Sequence, residues 1–300
     1  MAGVLLGAVA YDPKVVTIWD GFRSWLRDSA GLDFDYVLYS NYERQVCDLV
    51  DGRIDVAWNS PLAWVRARRL AAARGVPLTP VTMRDTDCDL RSAVVVRADS
   101  PVVSLSDLAG RVVATGAIDS PQATLLPLSL LRSAGLVPGA AGLVPGADVQ
   151  VRRFDIGVGL HGDHIGGERE AARALFAPSA ADQVDAACMI DSNLLLFARE
   201  GALPAGSVRV LAHTPAYDHC TMTAGPSAAS GSAAAAVARF GELLLGMDYA
   251  DPELRPLLDL EGLKEWRPPR LSGYDQLERA VDEAGFYGRD GSVTADGYRP

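Results

Sequence analysis

Short apolar runs alternate with helix-period stretches from the first residues, and this alternation constrains the fold more than any other feature. LLGAVA (Leu5–Ala10), FDYVLYS (Phe34–Ser40) and IDVAW (Ile54–Trp58) read as strands. Between and after them, Pro13–Asp28, Tyr42–Val50 and Leu62–Ala73 place apolar residues at helical spacing, as with Ile18, Phe22, Trp25 and Leu26. Strands separated by helices of this length mean βαβ units and parallel strand pairing.

The rhythm changes near residue 80. PVTMRDTDCDLRSAVVVRA has two strand-like runs around the polar segment Asp85–Asp89, which predicts a first crossover between lobes. A second α/β unit follows. Ser104–Asp107 is a capping box, RVVATG is a strand, and Ser120-Pro121 caps a helix over Gln122–Ala134. VQVRRF, a helix Glu168–Phe176, VDAACMI and a helix Asn193–Glu200 complete it. Val208–Thr214 and Cys220–Ala224 predict the return crossover. Helices Ser232–Met247, Glu253–Leu258 (interrupted by Pro256) and Tyr274–Ala284 form the tail. The expected architecture is α/β with two lobes, each a mostly parallel sheet flanked by helices, and a ligand cleft between them. The discontinuous lobe is 1–86 plus 217–300 and the continuous lobe is 87–216. A length of 300 residues suits two lobes. AGLVPGA at 134–140 recurs at 141–147 and is read as a duplicated surface loop.

Charge and cysteines narrow the function. The net charge is −10, and of 28 basic residues only Lys14 and Lys264 are lysines. An acidic chain without a basic stripe is not built for nucleic acid. No apolar run reaches membrane-spanning length. The opening segment lacks a positive n-region and reads as a strand, not a secretory signal. Cys47, Cys88, Cys188 and Cys220 are widely spaced with no CxxC, which suits a reducing compartment and gives a cytoplasmic expectation. A chain whose leader had been removed would look the same and be extracytoplasmic. Walker A, GxGxxG after the first strand and GxSxG are all missing.

Ligands of open α/β sheets bind beyond the carboxyl ends of the strands. There the sequence places Tyr11 and Asp12; Ser40, Asn41 and Tyr42; Asn59 and Ser60; Asp119, Ser120 and Gln122; His161, Asp163 and His164; and Asp191, Ser192 and Asn193. From these, Tyr11, Asn41, Tyr42, Asn59, Ser60, Asp119, Ser120, Gln122, His161 and Asp191 are the candidate ligand contacts. Small polar residues opening helices offer backbone N–H groups to an oxyanion. The four histidines all lie between 161 and 220, in HGDHIGGE and beside Cys220. His161, His164, His219 and Cys220 are a ligand set for zinc or iron. Direct pairing of His219 with Cys220 is not expected, because neighbours in a strand face opposite ways. Trp58 is assigned to the core, beside the cleft.

Ser40–Val65, Ser104–Gly135 and Asp163–Ser192 together resemble the type 2 periplasmic-binding-protein fold. They are most similar to the phosphonate-binding (PhnD-like) substrate-binding proteins of ABC transporters. The resemblance implies a hinged two-lobe binder for a small oxyanion, with an ABC permease as partner. It implies contacts at Tyr42, Asn59, Ser60, Ser120 with the following helical turn, and His161 or His164. Related folds also carry biosynthetic enzymes, such as thiamine-precursor synthases and menaquinone-pathway lyases. The alternative is therefore an enzyme using His161, Asp163, His164, His219 and Cys220 for acid–base or metal-assisted chemistry.

Overall fold

A computed structural model of the chain describes residues 3–140, 148–155 and 164–298. The first part runs β1 (Val4–Val9), α1 (Lys14–Ser24), β2 (Phe34–Tyr39), α2 (Tyr42–Val50), β3 (Val56–Asn59), α3 (Pro61–Arg74) and β4 (Thr79–Arg84). Asn41 caps α2, its Oδ1 accepting from Arg44 N at 2.8 Å. Gly75, at φ +67°, ends α3 in the left-handed conformation that glycine adopts without strain. The middle part holds β5 (Ser92–Arg97), β6 (Val112–Thr115), α4 (Leu126–Ser133), β7 (Pro138–Ala140), β8 (Val149–Arg153), α5 (Ile165–Ala174), β9 (Ala186–Ile190), α6 (Asp191–Arg199) and β10 (Val208–His213). The chain then returns through β11 (Thr221–Ala224), α7 (Gly231–Leu245), α8 (Arg255–Glu261), β12 (Trp266–Arg267) and α9 (Asp275–Ala284).

Two sheets result, ordered β12-β4-β11-β3-β1-β2 and β10-β5-β9-β6-β8-β7. β1 pairs in parallel with β2 and β3, and β6 with β8 and β9. The strands adjoining the crossovers run the other way: β11 is antiparallel to β3 and β4, and β5 to β9 and β10. Both faces of the first sheet are covered. Ile18, Phe22 and Phe240 pack on one side, and Val46, Leu49 and Ala67 on the other. That coverage explains why β1 and the Val56–Trp58 stretch of β3 are apolar and not alternating. Each large side chain so buried contributes roughly 1.5–3 kcal/mol.

Residues 85–91 and 214–220 connect the sheets and run side by side. Leu90 and Tyr217 exchange backbone hydrogen bonds at 2.8 Å each way, and His219 N donates to Asp87 O at 2.8 Å. Arg270 ties the two segments together, reaching Asp89 Oδ1 at 2.9 Å and Asp218 Oδ2 at 2.9 Å. Asp89 has φ +58°, a conformation that costs a non-glycine residue energy, which these partners hold in place.

Two local expectations are corrected. α8 is not broken by Pro256, which sits in the first turn where no N–H is required. The first AGLVPGA copy is not wholly loop: Pro138–Ala140 forms edge strand β7, pairing with β8, a place that tolerates proline. The second copy lies outside the described residues. No helix among the described residues is long and apolar enough to cross a membrane.

Candidate functional site

A cavity of about 310 Å³ lies where the ends of the two sheets face each other. From the first sheet's side come Tyr11 and Lys14 after β1, Tyr42 and Glu43 opening α2, Trp58 on β3, and Ser60–Ala63 at the start of α3. From the second come Asp119, Pro121, Gln122, His164 and Ile165. His219 and Cys220 enter from the returning crossover, and Tyr287 and Tyr298 from beyond α9.

Two Ser-Pro turns shape opposite walls. Ser60 Oγ accepts from Ala63 N at 3.2 Å and starts α3. Ser120 Oγ accepts from Ala123 N at 3.1 Å and starts a π-helical turn, Pro121–Leu125, ahead of α4. Proline has no N–H and the serines take the alanine amides, which leaves Leu62 and Gln122 to present the first-turn N–H groups. Both residues line the cavity.

Burial raises the phenols of Tyr11 and Tyr42 well above their ordinary range, so both remain O–H donors. Tyr287 OH donates to Glu43 Oε1 at 2.7 Å; burial and then that carboxylate keep its phenol protonated. Behind Trp58, the Arg84 guanidinium lies 5.2 Å from the ring centre. Arg84 grips Asp87 through Nε at 2.6 Å and Nη2 at 3.1 Å, and reaches Glu261 at 3.3 Å. Burial opposes the Asp87 carboxylate, but Arg84 and His219 prevail and hold it at about 2. Burial likewise opposes the His219 imidazolium, yet Cys220 and Asp87 push it up to about 10. Under the second wall, burial pushes Glu168 up to about 7 against hydrogen bonds from Asn193, Ile190 N and the Gln122 side chain.

Of the residues expected from the sequence, Tyr11, Tyr42, Ser60, Asp119, Gln122, His164, His219 and Cys220 share this cavity. Asn41 instead caps α2. Asn59 is fully buried beneath Ser60, accepting from Gln45 Nε2 at 3.1 Å. Ser120 is buried as a cap behind Gln122. Asp191 opens α6 and faces His213 at 3.2 Å, away from the cavity lining. His161 and Asp163 lie outside the described residues. The expected separation of His219 from Cys220 is corrected. Nδ1 and Sγ are 3.1 Å apart, because β11 begins only at Thr221 and strand alternation does not yet apply. Trp58 is core as expected, edge-on to Trp266 at 6.0 Å, and its exposed edge also forms cavity wall. Arg84, Asp87, Glu43, Tyr287 and Tyr298 were missed. Nothing local marks them, since the two tyrosines arrive only through packing of the tail.

A family model described as "ABC transporter, phosphonate, periplasmic substrate-binding protein" matches residues 8–274. The chain belongs to this phosphonate-binding family of ABC transporter substrate-binding proteins. Its members act outside the cytoplasmic membrane, which overturns the cytoplasmic expectation. The cysteine argument failed because a chain of this length folds without disulfides in any compartment. Its four cysteines are free thiols, Cys188 and Cys220 buried, Cys47 and Cys88 half-buried. Membership brings a small-molecule ligand and an ABC permease as partners. No curated protein matches the chain. Among solved structures, the chloride-bound XAC2383 protein of Xanthomonas citri is 19% identical, with a TM-score of 0.66 over 93% of this chain and 97% of that one. PhnD1 of Prochlorococcus marinus, in complex with methylphosphonate, is 16% identical, with a TM-score of 0.62 over 94% and 98%. The periplasmic aliphatic sulphonate-binding protein SsuA of Escherichia coli is 18% identical, with a TM-score of 0.53 over 94% and 92%. These likenesses establish the two-lobe fold.

Proposed function

We propose that the cleft captures a phosphonate- or sulfonate-type oxyanion that also carries an ammonium or other hydrogen-bond donor. The lobes are 1–86 with 217–300, and 87–216; they close by bending at the paired segments 85–91 and 214–220. One observation carries this reading: the starts of two helical segments, one from each sheet, line the same cavity. Leu62 N and Gln122 N would hold the anionic head from opposite sides, helped by Lys14, His164 and the phenols of Tyr11 and Tyr42. The same cavity carries the carboxyl groups of Asp12, Glu43 and Asp119. Those repel a bare anion, and a cationic arm on the ligand compensates them, with the faces of Tyr287 and Tyr298 alongside.

Thermal denaturation with methylphosphonate, 2-aminoethylphosphonate and taurine tests this. A ligand at about 100 times its Kd adds about 2.7 kcal/mol of stability. The amino compounds should stabilise at lower concentration than methylphosphonate. Equal or reversed ranking removes the donor-bearing ligand, and no stabilisation by any phosphonate or sulfonate removes the proposal whole.

A further inference from the structure

Beneath the anion-binding wall, at the meeting of the two crossing segments, stand three side chains that the capture of an oxyanion does not require. We propose that Asp87, His219 and Cys220 form a binding site for a zinc-class divalent cation, with its open coordination position facing the ligand cleft. Their donor atoms all lie within 4.8 Å of one another. His219 Nδ1 is 3.1 Å from Cys220 Sγ and 3.4 Å from Asp87 Oδ1. Tetrahedral zinc with ordinary Zn–S, Zn–N and Zn–O bonds sets its ligand atoms about 3.4–3.6 Å apart. Two edges of the site are therefore within about half an ångström of that geometry, and the third, within 4.8 Å, needs to close by no more than about 1.2 Å.

The surroundings suit such an ion. A thiolate, an imidazole and a carboxylate favour zinc over magnesium or calcium, which take oxygen ligands. Arg84 holds Asp87 by two hydrogen bonds, the outer support that ligating carboxylates usually have. Arg84 is shared between Asp87 and Glu261, 3.3 Å away, and metal binding releases the protons of His219 and Cys220 to solvent, which leaves a neutral imidazole, the Asp87 carboxylate and the Cys220 thiolate facing the dication. The backbone of His219 is fixed by Tyr274 OH, 2.9 Å from its carbonyl oxygen. His219 and Cys220 line the cavity while Asp87 is buried behind them, so a fourth ligand arrives from the cleft. Three protein ligands with a fourth position open is the arrangement of zinc sites that bind exogenous groups.

The test uses the full chain, stripped with chelator, titrated with Co²⁺ and then Zn²⁺. One equivalent of Co²⁺ should give visible tetrahedral bands and a near-ultraviolet thiolate-to-cobalt charge-transfer band, and Zn²⁺ should erase both. Cys220→Ser should lose the charge-transfer band and weaken Zn²⁺ binding by about 100-fold or more. Cys188→Ser, buried in the second sheet, should change neither. Both proteins are first checked for wild-type circular dichroism, and His219→Gln serves if Cys220→Ser does not fold. Binding of well under one equivalent, a Co²⁺ spectrum without the charge-transfer band, or wild-type affinity in Cys220→Ser overturns the proposal. Methylphosphonate binding measured on the metal-free chain keeps this result separate from the fate of the anion site.

Discussion

Ser60-Pro61-Leu62-Ala63 and Ser120-Pro121-Gln122-Ala123 are one device built twice, once on each side of the cleft. In both, serine takes the amide of the alanine three residues on, and proline removes an N–H that the helix start does not use. They differ in what stands behind them. Ser60 borders the cavity and opens a regular helix whose next residue is the apolar Leu62. Ser120 is fully buried, opens a π-helical turn, and is followed by Gln122, whose side chain lies against the buried Glu168. Identical capping chemistry thus gives one turn backed by neutral amides, Asn59 and Gln45, and one backed by a titratable group.

The largest expected effect breaks that contrast. The folded pKa of Glu168, about 7, lies above its ordinary 4.5. The folded chain therefore binds more protons between those values, and its stability falls as pH rises from 4.5 to 7. Glu168→Gln should flatten this dependence and raise stability at pH 8, on the order of 3 kcal/mol at most. Urea melts from pH 4 to 8 check it, and parallel pH profiles for both proteins would refute it. Next comes Gly116, where an added Cβ would lie 2.9 Å from Ala123 Cβ. Gly116→Ala should cost about 1–3 kcal/mol by pressing on the second turn alone, measured by the same melts. The caps themselves should separate by less. Ser120→Ala strands a buried amide and should cost about 2 kcal/mol, whereas water replaces Ser60 in Ser60→Ala, for about 1 kcal/mol or less. Equal losses would mean that the two turns are equally wet. The smallest effect is Asp119→Asn, which removes a carboxylate from the second wall. Calorimetry should show methylphosphonate tightening about threefold and 2-aminoethylphosphonate weakening by a similar factor, each under 1 kcal/mol.

The same pair of turns shows what a sequence can disclose. Ser120-Pro121 announces its cap through residue type alone, and the helix after it was placed correctly. That its first turn is π-helical, with Leu125 N reaching back to Ser120 O, is not legible, because residue type does not distinguish that hydrogen bond from an α-helical one. The polar break over Asp85–Asp89 marks the first segment between the sheets, and the apolar runs Val208–Thr214 and Cys220–Ala224 bracket the second. Asp191 misled for the converse reason: a polar strand end that starts a helix looks the same whether it faces the cleft or, as here, pairs with His213. Glu43 and Arg84 sit inside a helix and a strand whose periods mark them only as unexceptional. Their role exists only once Tyr287 and Trp58 stand beside them.

Arg270 is a single rivet through both connecting ribbons, and it is made of charge. Asp218 beneath it is 1% exposed, but the guanidinium itself is 41% exposed and open to solvent ions. At about 0.15 M salt the screening length is about 8 Å, and it shrinks to about 3 Å at 1 M. The exposed contact to Asp89 should accordingly weaken in brine while the one to buried Asp218 persists, so the two ribbons should stay pinned together at salt concentrations that dissolve ordinary surface ion pairs.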